Sequence, residues 1–329
     1  MKEIILISDE SWLGGASITN ASIVEEGLKR NYSVTMYVYG KKELEGKREF
    51  NPPNADLYIL ANYGYIPKDA LEKFINEKPF VRFFHDVPGF LQQLASSFFV
   101  DAQNTLQLMM DKAKHVFMIS PMQYSVVQNR IKLDEKKISI IPPYIPLEKF
   151  KNLNLEREDA WFYLGDIAPA RGVEKSIQIA IQNGCKKFVL AGPDLLPNYI
   201  NNLKEHYSKY CELEYLGEIE YEKVPELMNK YKYFIYTPEI LDSFCRKIVE
   251  AEEAGMEIFA DSLRIGLFSF PKEYKLKENI LNANNLLWDK LEELINGSTN
   301  GPVTPCEKCP CEDCSCEEKC DCVPEEKSD

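Results

Sequence analysis

Two carboxylates, Asp242 and Glu250, stand eight positions apart in the stretch DSFCRKIVEAEEAG, with the basic pair Arg246 and Lys247 between them. On a continuous helix, residues eight apart sit about 80° out of register, so the two acids do not stack on one face. With Asp242 in the loop before the helix, both can instead reach one ligand held at the helix N-terminus. Glu250 then approaches from two turns further along. The helix itself is legible: Ser243 can cap it, Phe244, Ile248 and Ala251 line one face, and Gly255 stops it. The plainer local reading makes Arg246–Glu250 and Lys247–Glu250 surface ion pairs, worth roughly 0.3–0.5 kcal/mol each.

Three other stretches place reactive residue types where strands give way to helices. In SDESWLGGAS, Gly14 and Gly15 precede a helical pattern, so their backbone amides can approach a phosphate at its positive end; two glycines there also suit a simple turn. In FFHDVPG, His85 and Asp86 end a strand pattern, where a histidine can act or simply pack. In YLGDIAPARGVEKS, Gly165 and Gly172 flank a turn that brings Arg171 beside a helix start. A cation is unfavourable there unless an anion lies between, the alternative being a solvated surface arginine.

These residues need a frame, and the chain supplies one. Strand patterns IILIS, SVTMYVY, ADLYILA, FVRFFHD, HVFMIS and ISIIPP alternate with helical ones in the first half. The second half repeats the scheme with AWFYLGD, KFVLAGP, LEYLGEI, YFIYTP, EIFAD and IGLFSF, and a last helix, NNLLWDKLEELING, ends at Gly297. Such alternation predicts two doubly wound, parallel-sheet α/β domains facing across a cleft. The pattern breaks near residues 142–155, which divides the chain into residues 1–150, residues 151–298 including the last helix, and a low-complexity tail, 299–329. Ligands of such folds bind beyond the C-terminal strand ends, where the candidate residues lie.

Composition sets the bounds. The 329 residues are 45% hydrophobic and 28% charged, enough for two cores of ordinary size. A net charge of −13 argues against a nucleic-acid binder. The opening MKEIILISDE has too short an apolar run for a signal peptide, and no run approaches a membrane span, leaving peripheral membrane contact open. Cys185, Cys211 and Cys245 are scattered through the body, unlike a secreted disulfide framework, and a cytoplasmic protein is expected.

Taken together and in order, WLGGAS, FFHD, KHVFMISPMQYSVVQNRIKLDEKKISIIPP, WFYLGDIAPARGVEKSIQIA, KFVLAGP, YLGEIEYEKVPELMNKYKYFIYTPE and DSFCRKIVEAEEAG resemble the family 4 retaining glycosyltransferases of GT-B fold, over about residues 1–265. The resemblance implies transfer of a sugar from a nucleotide-diphosphate donor to an acceptor (glycan, lipid-linked or protein) with retention, and no required cofactor. It implies that Glu250 holds ribose hydroxyls and Asp242 hydroxyls of the donor sugar. Gly14, Gly15, Ser243, Phe244, Cys245 and Arg246 then line the donor. His85 stands near the transferred sugar and Arg171 neutralises the departing diphosphate, which itself takes the acceptor proton. The sequence departs from the family in three places. Asp166 stands where an arginine is usual, removing half of a diphosphate clamp; Asp242 is one methylene short of glutamate; Ile141-Pro142-Pro143-Tyr144 replaces the usual interdomain motif. A non-catalytic GT-B-like protein that binds a sugar nucleotide or glycan is the alternative.

The tail carries Cys306, Cys309, Cys311, Cys314, Cys316, Cys320 and Cys322 within seventeen positions, and nine acids against three bases over residues 299–329. Repeated C-x-x-C thiols suit zinc or another soft ion. The alternative is an acidic tail without fixed structure.

Overall fold

The computed structural model describes residues 1–9, 14–87 and 97–297. The strands are β1 (Glu3–Ser8), β2 (Ser33–Val38), β3 (Leu57–Leu60), β4 (Phe80–Phe83), β5 (Val116–Met118), β6 (Ile138–Ile140), β7 (Glu158–Leu164), β8 (Lys187–Ala191), β9 (Glu212–Tyr215), β10 (Tyr231–Tyr236) and β11 (Glu257–Ala260). The helices are α1 (Gly15–Lys29), α2 (Lys41–Glu45), α3 (Lys68–Glu77), α4 (Ser97–Lys112), α5 (Pro121–Gln128), α6 (Val173–Gln182), α7 (Tyr199–Tyr207), α8 (Val224–Lys230), α9 (Arg246–Glu253), α10 (Leu276–Leu281) and α11 (Ala283–Asn296).

The strands form two parallel sheets, ordered β2-β1-β3-β4-β5-β6 and β11-β10-β7-β8-β9. Helices cover both faces of such sheets, so central strands must be apolar on both sides. Every residue of β3 and β4 is accordingly buried, as are Ile4 to Ile7 of β1. Each sheet reverses its strand order once, between β1 and β3 and between β7 and β10, and folds of this kind hold ligands beyond the strand ends at such points. The loops after β1, β7 and β10 contain most of the residues singled out above.

One reading of the sequence changes. IGLFSF forms no strand: Ile265 makes an isolated bridge to Asp242, and Gly266–Ser269 is a 3-10 turn. The backbone explains it, because Asp242 N–H donates to Arg264 O and Gly266 N–H to Asp242 O, each at 2.8 Å. A Cβ on Gly266 would collide with Ser243 O, so that apolar run buttresses the Asp242 loop. Helices α2, α4 and α10 complete the alternating set.

The last helix follows the second sheet in sequence but packs on α1. Trp288 is fully buried and donates from Nε1 to Ile23 O at 2.8 Å, over Gly27, where any Cβ would strike the indole. Arg30 pairs with Asp289 at 2.7 Å and with Glu292 at 3.3 Å, and Asn284 donates to Ser22 O. One buried apolar cluster thus runs from β1 and α1 through α11 to the second sheet. Among the described residues no helix is long and apolar enough to cross a membrane.

Candidate functional site

Tyr163, near the end of β7, shapes the loop that follows: its hydroxyl donates to Asp166 O at 3.2 Å and Arg171 O at 3.1 Å. Gly172 ends that loop at φ +69°, where a Cβ would run into Thr237 O at the end of β10. Only glycine tolerates both the left-handed backbone and this approach. The β7 and β10 loops are thereby locked together, and Arg171 leans over the switch point. Its guanidinium Nη2 lies 3.1 Å from Asp166 Oδ2. Burial opposes its charge, but Tyr236, Asp166, Asp242 and Asp86 outweigh burial and hold Arg171 more firmly protonated than usual.

Asp242 lies in the loop before α9. Its Oδ2 accepts from Tyr236 Oη at 3.0 Å and its Oδ1 from Phe244 N–H at 3.2 Å. That Asx-type turn moves the helix start. Ser243 does not cap; α9 begins at Arg246, and the residue before it, Cys245, takes a left-handed φ of +67°. Phe244 is buried ahead of the helix, not within it. Ser243 Oγ is buried with no hydrogen-bond partner among the described residues. Burial first, then the charge of Asp242, raises the Cys245 thiol well above its ordinary value, so it is no thiolate nucleophile.

The surface ion pairs expected around Glu250 are replaced by a buried set. Glu250 is 4% exposed; its Oε1 accepts from Tyr221 Oη at 3.1 Å and lies 3.8 Å from Arg246 Nε. Burial raises its carboxyl, while Arg246, Tyr221 and Lys247 hold it down. Arg246 spans the cleft: Nη1 donates to Thr19 Oγ1 at 3.0 Å and Tyr144 O at 2.7 Å, while Nη2 is buried without a partner among the described residues. Lys247, read from sequence only as a surface partner, turns back toward β7 and donates to Leu164 O at 2.7 Å, its ammonium 3.7 Å from the Tyr236 ring centre.

Across the cleft, α1 begins at Gly15, where a Cβ would sit 3.4 Å from Arg246 Cδ. The Gly14 amide already donates to Ser17 Oγ at 2.7 Å. His85 Nε2 lies 2.7 Å from Asn20 Oδ1, and Asn20 Nδ2 donates to Ser8 Oγ. An amide oxygen opposite Nε2 makes that nitrogen the protonated one. Burial, then the charges of Arg82 and Arg246, push His85 down to about 3, so it is a neutral donor and not a cation. Asp86 is open to solvent, yet protein surrounds it on the cleft wall. That partial desolvation first, and Asp242 second, raise its carboxyl, while Arg171 and Arg82 counter them.

Arg82 went unnoticed inside the apolar pattern FVRFFHD. It lies fully buried in β4, donates to the carbonyls of Leu60, Ala61 and Phe83, and is pushed down to about 10 by burial. Asp86 was seen beside His85 but given no role, although its charge faces Arg171 and Asp242. Among the described residues no group of three or more His, Cys, Asp or Glu could hold a metal ion. The seven tail cysteines lie outside the described residues.

The fold has counterparts in solved structures. Anabaena HepE in complex with UDP and glucose shares 16% identity over 91% of this chain and 93% of its own, with a TM-score of 0.61. Sucrose-phosphate synthase of Thermosynechococcus elongatus shares 16% over 88% and 90%, at 0.67. WaaG, a glycosyltransferase involved in lipopolysaccharide biosynthesis, shares 14% over 91% and 96%, at 0.55. The fold is that of the GT-B glycosyltransferases. No protein-family model matches the chain, and no curated protein matches it. In this GT-B frame the cluster at the β7/β10 switch point belongs to the second sheet, while His85, Asp86 and Thr19 belong to the first.

Proposed function

We propose that the protein is a glycosyltransferase that moves a sugar from a nucleotide-diphosphate donor to an acceptor, with retention of configuration. The observation that carries this reading is the convergence across one cleft of Arg171, Asp242 and Arg246 from the second unit with His85 and Asp86 from the first. HepE binds UDP and glucose in its crystal, and a donor of that kind has the hydroxyls and the charge this cluster can meet. Glu250 accepts from ribose hydroxyls with the lone pairs that Tyr221 and Arg246 leave free. Asp242 accepts from hydroxyls of the donor sugar.

Neutral His85, its Nε2–H held by Asn20, offers a sugar hydroxyl an acceptor at Nδ1 and adds no charge of its own beside the leaving group. Breaking the sugar–phosphate bond builds negative charge on the diphosphate, and Arg171 together with the amides opening α9 is set in place to meet it. The departing phosphate takes the acceptor proton, so the step needs no side-chain base. The acceptor enters from the first unit, past Asp86. A cytoplasmic location and a two-unit division at about residue 150 belong to the same reading.

The Asp166–Arg171 pair favours a second reading, a non-catalytic sugar-nucleotide binder, because Asp166 partly neutralises the cation that turnover needs. Thermal shift against a panel of UDP-, GDP-, ADP- and TDP-sugars, followed by donor hydrolysis and transfer assays on each hit, separates the two. Stabilisation with sugar release supports the transferase; stabilisation without turnover across a broad acceptor panel supports the binder; no stabilisation by any donor overturns both.

A further inference from the structure

Asp166 and Arg171 form an ion pair on the β7 loop, so that loop offers a diphosphate little net positive charge. A second cation reaches the same place from another element. Lys247, the second residue of α9, points back at the end of β7 and sets its ammonium against Leu164 O at 2.7 Å. The next residue is Gly165, at φ +137°, and a Cβ there would collide with Lys247 Nζ. The glycine thus opens a hollow that the ammonium fills. Tyr236 floors the hollow with its ring centre 3.7 Å away, and the Tyr163 ring centre lies 5.7 Å off.

An ammonium has three donors, and one carbonyl uses one of them. Among the described residues Lys247 makes no ion pair within 4.0 Å, although Asp242, Asp166 and Arg171 all act on it electrostatically. Burial lowers its pKa, and Cys245, Asp242 and Asp166 only partly offset this. A desolvated cation with spare donors gains much from an anion placed against it. Two more polar atoms on residues that open α9 are buried and unpartnered among the described residues, Ser243 Oγ and Arg246 Nη2. Residues 243, 246 and 247 thus each carry an unmet polar demand at the start of α9.

We propose that Lys247 is the second diphosphate-binding cation of the site, standing opposite Arg171 and supplying the charge that Asp166 does not. This rests on the donor reading above and deepens it. Lys247 touches the phosphate that leaves and gains strength as its charge grows, so it is a catalytic residue in the same sense as Arg171.

Calorimetric titration with UDP, GDP and ADP, and with the matching nucleosides, tests the assignment on wild type, Lys247→Met and the double variant Lys247→Met/Asp166→Arg. Loss of a charge-assisted hydrogen bond should weaken the preferred diphosphate by about tenfold to a hundredfold in Lys247→Met and leave the nucleoside within about threefold. An arginine at 166 should return most of that affinity, which a merely structural lysine would not allow. Equal losses for diphosphate and nucleoside, or an unchanged diphosphate affinity, overturn the role of Lys247 while the donor reading stands. A Lys247→Met protein that is misfolded by circular dichroism, and is not recovered by Asp166→Arg, makes Lys247 structural and overturns the role as well. Wild-type protein that binds none of these three diphosphates, nor TDP, overturns the donor reading, and the role of Lys247 falls with it.

Discussion

Glu250 combines features that are hard to reconcile in a structural acid: a nearly complete burial, a raised carboxyl and, among the described residues, only one close hydrogen bond. A buried carboxylate is costly unless its lone pairs are met, and ribose hydroxyls would meet the remaining ones. Glu250→Ala should therefore weaken nucleotide binding by roughly 1.5–3 kcal/mol, tenfold or more, which calorimetry on the folded variant reads directly. Unchanged affinity would remove Glu250 from the donor site. His85 gives a second expectation. Its folded pKa of about 3 lies below the ordinary 6.5, so between those values the unfolded chain binds a proton that the folded one refuses. The contribution of His85 to stability is then complete above about pH 6.5 and fades as pH falls toward about 3. The His85 Cε1–H resonance should not shift between pH 5 and 8, and His85→Gln should shrink the loss of stability between about pH 6.5 and 4. A histidine titrating near 6.5 would contradict the buried, Asn20-bonded ring.

At the scale of elements, the site depends on loops that are pinned, not on helices that happen to meet. Gly172 allows the β7 loop to touch Thr237, and Ala there would strain a left-handed residue and collide with a carbonyl. Gly172→Ala should cost more than about 1 kcal/mol in urea denaturation and reduce donor affinity further than its stability loss explains. The strand segments and many of the helices were legible because parallel strands must be apolar on both faces and their helices keep a 3.6-residue period; the order of strands in each sheet was not, because it is set by which edges meet in space. The IGLFSF segment misled for the same reason: its apolar run reads as a strand, but Gly266 is squeezed against Ser243 O and the chain bends into a 3-10 turn. The start of α9 was misread because Ser243 has the chemistry of a cap, while the Asp242 side chain bonds Phe244 N–H first. Lys247 and Arg82 were hidden by their neighbours: one sits in a charged helical pattern that looks solvated, the other in an apolar strand. Neither pattern tells where a long side chain turns. That depends on glycine hollows and unpaired carbonyls, which only the fold brings together.

Over the whole molecule, α11 ties the two units by returning from the second sheet to α1. Trp288 is the centre of that contact, and Arg30 reaches over it to Asp289 and Glu292. Trp288→Ala should destabilise the protein by about 3–5 kcal/mol, the range for emptying a buried aromatic site. Because the cleft lies between the joined units, donor affinity should fall as well; a chemical denaturation curve and a donor titration on the same sample check both. The Arg246 bridge to Thr19 and Tyr144 adds a second tie between the units, made by a residue of the proposed donor site. The proposed transfer of sugar from a nucleotide-diphosphate donor with retention is read by following the anomeric proton by NMR while wild type and Arg171→Ala turn over the donor found by thermal shift. The expected result is a product with the donor's anomeric configuration, formed by wild type, and a rate in Arg171→Ala that falls further than donor affinity does. Product of inverted configuration, or equal losses of rate and affinity in Arg171→Ala, would contradict it.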